Sequence, residues 1–158
     1  MSLWLSSGAF KTSDIEQMLS IARTNGITNV ELSSGLAYQP KTRQLLKEEV
    51  ERGMLNFLVH NYFPAPETPF VLNIASLDPD DLKKTEIFGA DAIRLADEFG
   101  APFYSIHAGF AANLCPEHLG KPEYLANALT SEDIDREQAY KIMIEATHQL
   151  AKQAANLG

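Results

Sequence analysis

The 158-residue chain has one cysteine, one tryptophan and no unbroken apolar run of membrane-spanning length. A lone Cys115 excludes an intramolecular disulfide and any cysteine-cluster zinc site, so a metal would need histidine and carboxylate ligands. No segment approaches the roughly 18 consecutive apolar residues that a membrane span needs. The opening Met1 to Gly8 lacks the basic-then-apolar profile of a secretory signal, and a cytoplasmic protein without a membrane partner is expected. Cations are scarce as well: 13 Lys and Arg stand against 21 Asp and Glu, a formal net charge of -8. Nucleic-acid backbones call for clustered Lys and Arg, so this balance argues against them as partners. Nucleophile elbows, phosphate-cradling glycine motifs and CxxC pairs are absent. Finally, the chain falls short of the about 250 residues typical of a complete eight-stranded α/β barrel.

What is present is 45% hydrophobic sequence, enough for a sizeable core, and a single domain over residues 1–158 is expected. Strand-length apolar segments alternate with helical patterns, the signature of βα units, and four units can be counted. The first opens with Leu3-Trp4-Leu5, crosses Ser6-Ser7-Gly8 and enters a helix at Ser13, where Ser13 and Glu16 have capping-box spacing. Ile15, Met18, Leu19 and Ala22 share one face of that helix, and Asn25-Gly26 stops it. The second unit has the strand Asn29-Val30-Glu31-Leu32, a loop from Ser33 to Pro40, and a helix around Leu45, Leu46 and Val50 ending at Gly53. In the third, Leu55-Asn56-Phe57-Leu58-Val59 runs into His60, and a long loop leads to Asp78-Pro79 as N-cap and first helical position. Leu82, Glu86, Ala90, Ile93 and Ala96 carry helical spacing to Phe99, with Gly100 as the stop.

The fourth strand, Phe103-Tyr104-Ser105-Ile106, ends at His107, and irregular sequence extends to about Thr130. A helix from about Ser131 then turns Ala139, Ile142, Met143, Ala146 and Leu150 to a core, and the acid run Ser131 to Asp135 suits the positive end of its dipole. Gly26, Gly53 and Gly100 each close a helix just before the next strand. Gly158 holds the same place in the fourth unit, so a fifth strand is expected to follow it. The expected fold is therefore α/β of the (β/α) TIM-barrel type: about four βα units with parallel strands, the N-terminal half of a barrel.

Functional groups in βα folds gather where strands end, because the loops there share one rigid rim. His60 and His107 both hold that position. Imidazoles at the mouths of adjacent strands can share one divalent metal or serve two neighbouring ones, and Zn, Mn, Co and Mg all stay open. Each can equally be a rim residue hydrogen-bonded to a neighbour. Glu31, inside the second strand, can bond a sugar hydroxyl, orient a ligand histidine, pair with a Lys or Arg as a structural acid, or face solvent between helices. The loop His60-Asn61-Tyr62-Phe63-Pro64-Ala65-Pro66, continuing to Asn73, is stiffened by prolines and walled by aromatics. It suits a substrate cover, with Asn61, Tyr62 and Asn73 as candidate substrate contacts, or a packed loop that merely closes the barrel end. His118, Cys115 and His148 are expected to be surface residues.

Four segments together resemble a known family: Val30-Glu31-Leu32-Ser33-Ser34-Gly35, Leu58-Val59-His60-Asn61-Tyr62-Phe63-Pro64, Leu72-Asn73-Ile74-Ala75-Ser76 and Tyr104-Ser105-Ile106-His107-Ala108-Gly109-Phe110. In order and spacing they are similar to the N-terminal half of the xylose-isomerase-like TIM-barrel superfamily, which includes sugar-phosphate isomerases and epimerases and the apurinic-site endonucleases of the endonuclease IV type. The resemblance implies that His60 and His107 match the strand-end histidines that bind metal in the endonuclease-type members. In the isomerase and epimerase branch it implies a metal held by a Glu, an Asp, a His and a Glu from later strands, beyond Gly158, so no catalytic residue is assigned within this chain. The implied activity of a full-length parent is proton transfer alpha to the carbonyl of a sugar or sugar phosphate through an enediolate, with a divalent metal as cofactor. Two other readings are cleavage of abasic DNA, which the acid excess disfavours, and a non-catalytic half barrel that self-associates through its open sheet edges.

Overall fold

The computed structural model describes residues 3–112, 114–119, 121–124, 126 and 134–157. Strands β1 (Leu5–Ser6), β2 (Asn29–Leu32), β3 (Asn56–His60) and β4 (Tyr104–Ser105) form one four-stranded parallel sheet in chain order. The helices are α1 (Ile15–Thr24), α2 (Thr42–Glu51), α3 (Pro79–Glu98) and α4 (Arg136–Ala155). The expected parallel βα architecture is thus present. Among the described residues no helix is long and apolar enough to cross a membrane.

The strand and helix limits shift for physical reasons. The outer strands are shorter than expected: β1 omits Leu3 and Trp4, and β4 omits Phe103 and Ile106. Each has a partner on one side only and pairs with just two of that partner's residues. Leu3 is 86% exposed and Phe103 54% exposed. Helix α1 is capped by Asp14 instead of Ser13, with the Gln17 N–H donating to Asp14 Oδ1 at 2.8 Å. Asp14 and Gln17 repeat the three-residue spacing of Ser13 and Glu16, and a carboxylate is the stronger acceptor at the positive helix end. Asp78 caps α3 as expected, accepting from the N–H groups of Asp80 and Asp81. The start expected at Ser131, with Glu132 and Asp133, and the stop at Gly158 lie outside the described residues. Within them α4 is capped by Asp135, which accepts from Gln138 N–H.

Gly26, Gly53 and Gly100 end their helices with the paired backbone bonds of Schellman turns, for example Gly26 N–H to Arg23 O and Ile27 N–H to Ala22 O. Each turn feeds the chain straight into the next strand.

The chain forms two compact units. The first comprises Met1–Glu67 and Ala92–Ile106 and holds the whole sheet. Its register sorts side chains by face. Leu5 pairs with Val30, Val30 with Phe57, Leu32 with Val59, and Val59 with Tyr104. Side chains alternate along a strand, so these residues share one face. Val30, Leu32, Phe57 and Val59 are essentially fully buried there, and Phe57 meets Phe99, just after α3, with ring centroids 5.7 Å apart. Ile15, Met18, Leu19 and Ala22 of α1 and Leu46 of α2 complete the buried apolar set. Helices α1 and α2 are tied by Glu49, a buried carboxylate whose Oε1 accepts from Arg23 at 2.6 Å and Arg52 at 3.0 Å. On the surface, a two-pronged Arg43 guanidinium holds the Glu98 carboxyl below its ordinary pKa.

The second unit comprises Thr68–Asp91 and His107–Gly158. Val71, Ala112 and Leu114 pack together with Phe110 and Ile134. Phe70 meets Phe88 edge-on at 5.6 Å. Helices α3 and α4 approach at Gly89, where a Cβ would lie 2.9 Å from Leu150 Cδ2.

Because Phe57 fills the middle of the apolar face, Phe57→Ala is expected to cost about 3–5 kcal/mol of stability in urea unfolding. A loss under about 1 kcal/mol would show that this face is not the core.

Candidate functional site

The opposite face of the same sheet is polar. Ser6 pairs in register with Glu31, Glu31 with Leu58, and His60 with Ser105. Alternation therefore sets Ser6, Glu31, Leu58, His60 and Ser105 on one side, with Leu58 the apolar exception. Glu31 and His60 lie on neighbouring strands two residues out of register, about 8 Å apart at the backbone from strand spacing and rise. Asn29 and Asn56 close the other end of this face, joined by a side-chain hydrogen bond of 2.9 Å. The residues facing this side from the strands include no Lys or Arg.

Glu31 is half-buried, and its carboxylate meets no hydrogen-bond or ion-pair partner among the described residues. A structural acid would be paired with a cation, as Glu49 is. Glu31 instead presents acceptor oxygens on the polar face. His60 is also half-buried, and its Nδ1 lies 2.7 Å from Ser105 Oγ. That bond steadies the ring plane, as an outer partner does for a working histidine.

The next residue, Asn61, is bolted to β4 through its backbone. Its N–H donates to Ser105 O at 2.6 Å, and its carbonyl accepts from Tyr104 Oη at 2.8 Å. Burial pushes the Tyr104 phenol well above its ordinary pKa, so it stays a neutral donor. Asn61 adopts φ +43°, the left-handed conformation that asparagine tolerates better than most residues. Tyr62 is half-buried beside it, and Phe63, at a cis Phe63–Pro64 peptide, is 1% exposed.

Asn73 belongs to the second unit and is architectural in its contacts. It is 4% exposed, and its Oδ1 accepts from the N–H groups of Ala75 and Phe110 at 3.0 and 2.8 Å. Its Nδ2 donates to Phe110 O at 2.9 Å, and its backbone N–H donates to the buried Thr85 hydroxyl at 3.1 Å. Gly109 makes this clasp possible: at φ +89°, a Cβ there would collide with Asn73 Oδ1 and crowd Ile74 N. The loop after Thr68 is correspondingly packed, with Val71, Leu72, Ile74 and Ala75 all buried. A shallow cleft of about 150 Å³ passes Asn73, Asp78, Asp81 and Leu114, about half the smallest usual ligand pocket of about 300 Å³.

His107 is exposed and follows β4. His148 and Cys115 are exposed surface residues, and His118 stacks on Tyr124 at 4.8 Å. Among the described residues no group of three or more His, Cys, Asp or Glu side chains is placed to hold a metal ion. The donors present thus make at most part of a coordination sphere.

Sequence reading passed over Ser6, Ser33, Ser105 and Tyr104. A signal for the first two was available: Leu5-Ser6-Ser7-Gly8 recurs as Leu32-Ser33-Ser34-Gly35, each at a strand's C-terminal end. Ser105 and Tyr104 emerge only from the β3–β4 register.

No protein-family model matches the chain, and no curated protein matches it. Solved structures do. A D-tagatose 3-epimerase-like protein superposes with a TM-score of 0.66 at 22% identity, over 100% of this chain and 50% of its own. D-psicose 3-epimerase from Clostridium cellulolyticum H10, solved with D-tagatose, gives 0.61 at 15% identity, with 100% and 50% coverage. A xylose isomerase domain protein from Planctomyces limnophilus gives 0.53 at 13% identity, with 98% and 50% coverage. The chain has the fold of half of a TIM barrel and spans about half the length of these structures.

If Asn73 serves as the clasp its contacts describe, Asn73→Ala strips partners from the buried Ala75 N–H and the part-buried Phe110 N–H. It is expected to lower stability by about 2–3 kcal/mol in urea unfolding. An unchanged midpoint would instead mark Asn73 as a residue kept for a ligand.

Proposed function

We propose that this chain belongs to a sugar isomerase or epimerase that moves a proton alpha to a carbonyl. The observation that carries the reading is the unpaired Glu31 carboxylate beside an oriented His60, on the polar sheet face where the strands end. Acceptor oxygens and an imidazole, with no cation among them, suit a hydroxyl-rich ligand. The half-barrel fold supports the reading, since the solved structures that share it carry epimerase and isomerase names.

Glu31 and Asn61 are proposed to bind substrate hydroxyls, with Tyr62 beside them. His60 is proposed as a ligand to a divalent metal or to a substrate oxygen, and the same role is proposed for His107. A divalent ion held there would supply positive charge beside a developing oxyanion. The donors in this chain do not complete a site for it, and no step is routed through it. Proton abstraction also needs a positioned base. Glu31 is the only carboxylate on the polar face of the strands, so a second acid must come from elsewhere in a whole enzyme. A sugar or sugar phosphate is the proposed substrate class, and a second barrel half, from the same protein or another copy, is the proposed partner of the open sheet edges.

A protein containing this chain, screened against ketoses with Mn, Co, Zn and Mg, is expected to interconvert at least one of them. His60→Ala should reduce that activity by about 10–100-fold, the usual effect of disturbing an oriented metal or substrate contact. Neither turnover nor binding of any ketose with any of the four metals would remove the reading.

A further inference from the structure

The twin turns that end β1 and β2 contain a hydroxyl relay. Ser6 and Ser33 occupy equivalent places in the repeated Leu-Ser-Ser-Gly segments, 27 residues apart, and their Oγ atoms lie 2.8 Å from each other. Ser7, fully buried, accepts from the Ser33 N–H at 2.9 Å, and its hydroxyl reaches the Ser33 and Ser34 carbonyls at 3.3 and 3.4 Å. A longer contact of 3.4 Å joins Ser7 Oγ to Ser33 Oγ. The turns themselves touch: Gly35, at φ +107°, could not carry a Cβ without pressing within 3.3 Å of Gly8 Cα.

Counting hydrogens separates the three serines. Ser7 has one hydrogen, and backbone carbonyls take it, so Ser7 is structural. If Ser6 donates to Ser33, then Ser33 donates on to Ser7, and Ser6 keeps open lone pairs. If Ser33 donates to Ser6, then Ser6 keeps an open hydrogen. In either direction the relay ends at Ser6, which is half-buried and can present a donor or an acceptor. Ser6 is also the register partner of Glu31 on the polar face. Neighbouring strands are about 4.8 Å apart, a span that two adjacent hydroxyls bridge with one hydrogen bond at each end.

We infer that Ser6, backed by Ser33, is a specificity-determining residue that joins Glu31 in binding two adjacent hydroxyls of an uncharged polyol. A sugar hydroxyl is both donor and acceptor and matches either state of the relay. A phosphate monoester dianion accepts only, and the Glu31 carboxylate repels any phosphate anion. This inference rests on the sugar-binding reading above and adds a residue and a charge preference to it.

The test is calorimetric titration of free ketohexoses, D-tagatose first, and of the monodeoxy analogues of whichever binds. Ser6→Ala is expected to weaken binding of the parent sugar about 3–10-fold, the effect of one net hydrogen bond, with thermal unfolding unchanged. Ser6→Thr restores it. For one deoxy analogue, lacking the hydroxyl that Ser6 meets, the unsubstituted protein and Ser6→Ala bind equally. Inorganic phosphate does not compete. Parent-sugar affinity unaltered in Ser6→Ala, an equal loss for every analogue, or competition by phosphate would overturn the inference while leaving the sugar-binding reading intact. Failure of the unsubstituted protein to bind any ketohexose would overturn both.

Discussion

The parallel register of β2 against β3 is the constraint on which the rest of the structure depends. A strand has a side-chain period of two, so one choice of pairing assigns every residue to a face. Here it puts Val30, Leu32, Phe57 and Val59 together under the helices and Glu31 and His60 together on the other side. A slip of β2 by one residue against β3 would turn Glu31 into the apolar layer beside Phe57 and carry Val30 and Leu32 to the polar face. Burial of Phe57 against Phe99 therefore fixes the position of Glu31 as well as the core.

Around that register, polar groups divide into those consumed by the architecture and those left to act. Ser7, Asn73, Thr85 and Glu49 are buried, and each is spent on holding backbone or another side chain. Ser105 and Tyr104 occupy an intermediate rank: one steadies the His60 ring and the other the Asn61 carbonyl. Ser6 and Glu31 are half-buried, in register and not consumed. This division comes from counting donors and acceptors and does not depend on resemblance.

Much of the fold was legible in the sequence because its signals are local. Glycine stops, the Asp78-Pro79 start and the apolar alternation of β2 and β3 each depend on a few neighbouring residues. The reading differed at two places: the outer strands, each paired on one side only, are shorter than expected, and Asp14, the stronger acceptor, takes the cap from Ser13. The site was only partly legible. Glu31 and His60 were visible as polar residues at strand ends, but their shared face depends on register across 27 to 29 positions of chain, as does the Ser6–Ser33 pair. Asn73 was visible as a polar residue in a loop rich in proline and aromatics, yet its partners on Phe110 lie 37 residues away.

The central claim is that the polar sheet face binds a polyol. Amide chemical-shift mapping of the labelled chain, titrated with a free ketohexose, tests it most directly. The account predicts the largest shifts at Ser6, Glu31, Ser33, His60 and Asn61, with α1 and α2 unmoved. Shifts confined to the cleft beside Asn73, or to the helices, would contradict it.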